Sequence, residues 1–173
     1  LLAIRDPRLA AAHLVFLGYG PLEGALRSAA ADPALAGRVH VLKAVATEVL
    51  DRWVSGADVG MCTVLPSTLN HRISTPNKLF ESLGAGVPVV ASDFATMRNI
   101  LLGDPDGPLG AVCDPTRPGD VADAIHSILG MSTSDRAVLR RRCIRAAAAR
   151  WNWEAQAAHL ADLYASLEIP ERT

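Results

Sequence analysis

With 173 residues, half of them apolar and 20% charged, the chain fits one domain of the usual ~100–200 residues and is too hydrophobic to stay disordered. A formal net charge of −1 gives no global attraction to nucleic acid, and no run of about 18 apolar residues could cross a membrane. Leu1-Leu2-Ala3-Ile4-Arg5 lacks the charged start and full apolar stretch of a signal peptide, and with no initiator Met the chain is expected to be a fragment.

In chain order, short apolar runs predict strands at residues 13–17, 38–42, 58–63, 87–92 and 110–113. Helical patterns fall between and after them. Residues 22–31 are alanine-rich and end before Asp32-Pro33, and 46–55 carry Val49, Leu50 and Trp53 and stop at Gly56. The segment 66–74 reads as a loop containing His71 and Arg72, and so does 103–108. After Asp93 the pattern turns helical. Residues 121–129 follow the start signal Pro118-Gly119-Asp120, then come 134–150 and 154–167. In the last of these, Leu160, Leu163, Tyr164 and Leu167 form an amphipathic stripe. Residues 170–173 are expected to fray. Strands alternating with helices of about ten residues predict βαβ units and a parallel sheet.

The most informative stretch runs from Ile73 to Asp93. Pro76 suits the first turn of a helix, Gly84 and Gly86 end it, and Pro88-Val89-Val90-Ala91 reads as a buried strand. Such a helix start presents free N–H groups and a positive dipole end to an anion. Leu79, Phe80 and Leu83 form its apolar stripe. Asn77, Glu81 and Gly84 lie roughly opposite, flanked by Lys78. A carboxylate there can accept two hydroxyl hydrogen bonds, as from a ribose, and an ammonium one turn earlier can neutralise phosphate. A solvated Lys78–Glu81 surface pair is the plain alternative, and these residues alone leave both open.

Pro76-Asn77-Lys78-Leu79-Phe80-Glu81, followed by Ala85-Gly86-Val87-Pro88-Val89-Val90-Ala91-Ser92-Asp93, resembles the nucleotide-binding motif of family 4 (group 1) retaining glycosyltransferases of the GT-B fold. It is most similar to the branch with a Pro-Asn-Lys-x-x-Glu signature. Leu14-Val15-Phe16-Leu17-Gly18-Tyr19-Gly20-Pro21 resembles that family's early strand and glycine loop. Arg38-Val39-His40-Val41-Leu42 and Ala57-Asp58-Val59-Gly60-Met61 resemble its next strands, and Trp153-Glu154 the start of its closing helix. The likeness spans most of residues 13–168 in order.

The resemblance implies a Rossmann-like parallel sheet sandwiched by helices, forming the C-terminal, donor-binding half of a GT-B enzyme across residues 1–173. The N-terminal acceptor domain would be absent. So would the family's first strand and the following loop, which carries an Arg and a Lys for the diphosphate. It further implies that Glu81 holds the ribose of a nucleoside-diphosphate sugar, that the N-terminal amides around Pro76, Asn77 and Lys78 face phosphate or sugar, and that the Lys78 ammonium lies near the diphosphate. Gly18 and Gly20 would form a phosphate or sugar loop. Lys43 lies just beyond the second strand, where backbone groups could read the base. Ile73 stands where the family often has a first glutamate, so the sugar contact is unassigned. The donor is a substrate, and no cofactor or metal is expected.

No nucleophile, base and orienter can be assembled, so no catalytic residue is assigned. Cys62, Cys113 and Cys143 lack metal-ligand spacing, which points to a reducing cytoplasm. Cys62 reads as a core thiol. Cys143, among arginines, could have a lowered pKa. Arg140, Arg141, Arg142, Arg145 and Arg150 read as a solvated helix face, with peripheral contact to the inner face of an anionic membrane as the alternative. The expected function is retaining sugar transfer, in cell-surface polysaccharide synthesis, with the fragment alone inactive. A nucleotide-sugar epimerase of similar architecture and a non-catalytic α/β binding domain are the rivals.

Overall fold

The computed structural model describes residues 1–35 and 37–167, so the expected fraying at 170–173 lies outside the described residues. Five parallel strands carry the fold: β1 (Leu14–Leu17), β2 (Val39–Leu42), β3 (Gly60–Cys62), β4 (Val89–Ser92) and β5 (Gly110–Cys113). All five lie inside the predicted spans. The expected single sheet is found as two ladders, β1–β2 and β3–β4–β5. All four residues of β4 are buried, as a continuous apolar run flanked by a strand on either side requires.

The helices are α1 (Glu23–Ala30), α2 (Thr47–Val54), α3 (Leu69–Ile73), α4 (Asn77–Gly84), α5 (Ala95–Leu102), α6 (Pro118–Leu129), α7 (Thr133–Ala149) and α8 (Trp153–Ser166). Short 3-10 turns at Leu2–Arg5 and Pro7–Leu9 precede β1. Helix α6 begins earlier than its apolar period because Pro118 and Asp120 fill its first turn, where a missing N–H and a carboxylate are both favourable. Ser132 caps α7 by accepting from the Asp135 amide, and Asn152 caps α8 by accepting from that of Ala155.

Two expectations change locally. Pro76 is the residue before α4, in extended conformation, rather than in its first turn, so the helix starts at Asn77. The loop at 66–74 contains α3, whose start is secured by the Thr68 hydroxyl accepting from the His71 amide. At the other end of α4, Gly86 takes a φ of 71°, a left-handed turn in which a side chain would be strained and would meet Ile144 of α7.

The core has two parts. Leu79 and Leu83 of α4 pack with Val89, Val90, Met97, Leu101, Leu109, Leu139 and Cys143 around the three-stranded ladder. Ile4, Leu9, Leu35 and Val39 form a smaller cluster with Ala122 on one face of the two-stranded ladder. Helix α6 joins them, since Ile125 packs against both and Ala122 and Ile128 are buried one in each. On that face α1 lies over β2, and the N-terminal turns pack against α6. The stripe on α8 is exposed along its length, with Leu160, Leu163 and Tyr164 all in solvent.

Candidate functional site at the switch between the ladders

Within each ladder the strands run parallel, so their carboxyl ends share one edge of that ladder. In open α/β sheets ligands bind beyond the carboxyl ends of the strands, which makes the exits of β1 and β3 the candidate site. Gly18 and Gly20 follow β1, and the start of α4 is reached from β3 through α3. Lys43 follows β2.

At the β1 exit, the Gly18 amide donates to the Leu42 carbonyl at 3.2 Å and closes the ladder. Its φ of 142° is open to glycine and strained for other residues. The Gly20 carbonyl accepts from the Glu23 amide at 3.1 Å, so the loop turns directly into α1. A Cβ placed at Gly18 or Gly20 would meet nothing within 4 Å, so a ligand can approach the backbone closely at both. Lys43 is exposed and has no ion-pair partner among the described residues.

At the start of α4, the Pro76 carbonyl accepts from the Leu79 amide at 3.0 Å, while the Asn77 and Lys78 amides have no acceptor among the described residues. They present a helix dipole end and two free donors. Asn77 and Lys78 are exposed and Glu81 is half-buried. Neither Lys78 nor Glu81 joins an ion pair among the described residues, so the plain alternative of a solvated Lys78–Glu81 pair is not formed. Lys78 lies near enough to Cys62 at the β3 exit for its charge to oppose the rise that burial imposes on that thiol's pKa.

The wall behind α4 is braced by groups that the sequence reading did not single out. Ser92 Oγ donates to the Val64 carbonyl at 2.6 Å, tying the β4 exit to the β3 exit. Thr96 Oγ1 donates to the Ile73 carbonyl at 3.4 Å. Asp93 pairs with Arg98, whose Nε donates at 2.6 Å and whose pKa is raised by that carboxylate. His71 stands within α3 rather than in a free loop, and its Nδ1 lies 2.9 Å from Ser67 Oγ, just before the helix. A small hydroxyl at the end of a buried strand was the available signal for Ser92.

Of the five arginines, Arg141 is exposed with no partner among the described residues, as the solvated-face reading has it, while the others reach neighbouring loops. Arg140 donates to the Ala57 and Ser55 carbonyls, both at 2.8 Å, and Arg142 to that of Pro108 at 2.8 Å. Arg145 lies 3.9 Å from Asp106, and Arg150, just past the helix, pairs with buried Asp104. These guanidiniums hold the loops at the amino ends of β3 and β5. Two open hollows of about 360 and 310 Å³ lie at that edge, lined in part by Arg136 and Arg140 and by Arg142, away from every candidate residue. The expectation of a lowered Cys143 pKa is overturned too. Its thiol is fully buried against the Leu109 carbonyl, and burial pushes it up to about 12 despite the nearby guanidiniums.

Solved structures share this architecture at low identity. The HepE protein of Anabaena, in complex with UDP and glucose, matches 95% of this chain and 44% of its own at 16% identity and a TM-score of 0.70. Sucrose-phosphate synthase of Thermosynechococcus elongatus matches 95% of this chain and 41% of its own at 22% identity and a TM-score of 0.66. The pneumococcal O-GlcNAc transferase GtfA, in complex with UDP and GlcNAc, matches 84% of this chain and 28% of its own at 13% identity and a TM-score of 0.59. The chain thus spans less than half the length of each of these structures, and no curated protein sequence matches it. The profile of the glycosyl transferases group 1 family matches residues 1–131. With the parallel α/β fold, the chain belongs to the group 1 glycosyltransferases.

Proposed function

We propose that this chain is the donor-binding domain of a family 4 retaining glycosyltransferase of GT-B fold, and that it holds a nucleoside-diphosphate sugar between the exits of β1 and β3. The observation that carries this reading is the start of α4: two uncommitted amides, Asn77 and Lys78, with the unpaired Glu81 carboxylate one turn further on. The amides and the Lys78 ammonium receive the diphosphate, where charge and hydrogen bonding reinforce one another. Glu81 accepts from the ribose hydroxyls. The open backbone at Gly18 and Gly20 lets phosphate or sugar approach, and the segment at Lys43 borders the base. Two structures with this fold hold UDP, which makes UDP the first nucleotide to test.

In this reading residues 1–173 supply positioning and stabilise the leaving diphosphate. The diphosphate itself helps to deprotonate the acceptor, held by a separate N-terminal domain. The work of the whole protein is polysaccharide synthesis on the cytoplasmic side of a membrane, and this domain alone transfers nothing.

The experiment is a calorimetric titration with UDP, GDP and ADP, repeated on Glu81→Ala. Binding of one diphosphate, weakened by ~1–3 kcal/mol in the variant as expected for hydrogen bonds lost from a charged group, supports the reading. A chain that binds none of the three, even when extended upstream of Leu1, sinks it in favour of a non-catalytic domain.

A further inference from the structure

Tyr19 is the most exposed large apolar side chain among the described residues, at 90%. It stands between Gly18 and Gly20 in the loop that leaves β1, so neither neighbour has a side chain to shield its ring. The space around both glycines is open to 4 Å. The loop itself is held. The Gly18 amide donates to the Leu42 carbonyl at 3.2 Å, and the Gly20 carbonyl accepts from the Glu23 amide at 3.1 Å. These bonds fix the backbone on both sides of Tyr19, next to the exit of β2, because Leu17 and Leu42 are register partners. Tyr19 belongs to neither core cluster. A tyrosine ring has two rotatable bonds, so it costs little to immobilise against a ligand while offering a large flat face.

We infer that Tyr19 is the platform on which the base of the nucleotide donor stacks. The inference rests on the donor reading above and adds to it the side chain that holds the base. In that reading the start of α4, which follows β3, receives the diphosphate and the ribose, which leaves the base for the adjoining exits of β1 and β2. Those exits are residues 18–22 and 43–46, and Tyr19 is the one aromatic residue in either. A π face accepts any nucleobase in offset stacking. Tyr19 therefore supplies affinity for a base, while the backbone beside Lys43 distinguishes one base from another. Stacking uses the ring and not its hydroxyl, which separates it from a polar contact. A ring this exposed holds no part of the fold, so its effects on binding and on stability can be read apart.

The test is a calorimetric titration of the 173-residue chain, Tyr19→Phe and Tyr19→Ala with UDP, GDP, ADP and inorganic pyrophosphate, with melting temperatures measured alongside. For the nucleotide that binds, Tyr19→Ala should weaken affinity at least about fivefold, and Tyr19→Phe should stay within about twofold of the parent. Pyrophosphate, which has no base, should be indifferent to both, and neither melting temperature should change. In the parent complex the ring current of Tyr19 should move the base protons upfield, and that shift should vanish in Tyr19→Ala. Unchanged nucleotide affinity in Tyr19→Ala, where Glu81→Ala weakens it, would overturn the platform and leave the donor reading standing. Equal losses in both Tyr19 variants would assign the contact to the hydroxyl, and a matching loss on pyrophosphate would assign it to the phosphates; either overturns the stack. A loss seen with UDP-glucose and not with UDP would seat the sugar on the ring and overturn it as well. If none of the three nucleotides binds, even to the chain extended upstream of Leu1, the donor reading falls and the platform with it.

Discussion

The backbone of β3 at Gly60 lies against Ser82 of α4 so closely that a Cβ on Gly60 would fall 2.6 Å from Ser82 Oγ and 2.9 Å from its Cβ. Ser82 is itself held, its hydroxyl donating to the Lys78 carbonyl at 2.7 Å. The contact sets the depth at which α4 rides on the sheet, and so where its open amides and Glu81 stand. Gly60→Ala should destabilise the chain by about 1–3 kcal/mol through overpacking, read by thermal or urea unfolding. Ser82→Gly, which removes both clashing atoms, should recover part of that loss. A double-mutant cycle with no coupling between the two positions would mean that the strain is relieved elsewhere.

The fold was legible where local chemistry and burial agree. The turn at Gly84 and Gly86, the apolar run after it and the periods of α6 and α7 are each set by short-range sterics and burial, and the structure places them as read. Helix α3 was hidden because its five residues carry no amphipathic period, and a hydroxyl cap is what holds its start. The division into two ladders was not readable, because strand pairing depends on which edges meet in space. The arginines misled for a similar reason. Arg140 and Arg142 look solvated until the carbonyls of Ser55, Ala57 and Pro108, more than thirty residues away, are brought to them. At the candidate site, the order of motifs pointed to the α4 start, whereas the bracing by Ser92 and Thr96 exists only in the packed molecule.

Lys78 and Glu81 should be separable by ligand. If Lys78 serves the diphosphate and Glu81 the ribose, Lys78→Ala should weaken UDP about tenfold or more while leaving uridine unchanged. Glu81→Ala should weaken both. Titrations of the two ligands against the two variants check this, and equal losses on both ligands for Lys78→Ala would place the lysine elsewhere.

Gly20 gives a cleaner probe of close approach than Gly18. Gly20 has ordinary backbone angles and open space around its Cβ position, so Gly20→Ala should leave the melting temperature unchanged. Gly18→Ala adds strain at φ 142° and should lower it, by about 1–3 kcal/mol of stability. A ligand lying against this loop would lose affinity for both variants. Unchanged UDP affinity in Gly20→Ala would mean that the loop is only a turn.

Alkaline pH should expose the buried thiols. Burial pushes Cys113 up to about 11 and Cys143 up to about 12, from an ordinary value of 9.0. Above pH 9 the unfolded chain releases these protons while the folded chain keeps them, so the unfolded state binds fewer protons and stability falls as pH rises. The loss should begin near pH 9 and deepen toward pH 11. Unfolding free energies from pH 8 to 11 should therefore decline, less steeply in Cys143→Ala. A thiol reagent at pH 8 should label none of the three cysteines until the chain unfolds, since all three are buried.

Arg150 and Asp104 anchor the far end of α7. The Asp104 carboxylate is 1% exposed and accepts from Arg150 and, at 3.0 Å, from the Asp106 amide. Arg150→Ala leaves that carboxylate buried with a single donor. Breaking a buried pair this way costs about 3–5 kcal/mol when both partners are buried, and the exposure of the guanidinium brings the expectation toward about 2–3 kcal/mol. Asp104→Asn keeps an acceptor in place and should cost less. The effect should also travel. Trp151, the next residue, packs its ring 6.0 Å from that of Phe80 on α4, so loss of the anchor loosens a contact on the helix that carries the candidate site. Urea unfolding gives the stability change, and the Trp151 environment can be followed by fluorescence with Trp53 and Trp153 replaced by Phe. A shifted emission in folded Arg150→Ala, together with weaker UDP binding, would show the anchor acting through α4. Lower stability with unchanged emission and affinity would confine its role to the loop.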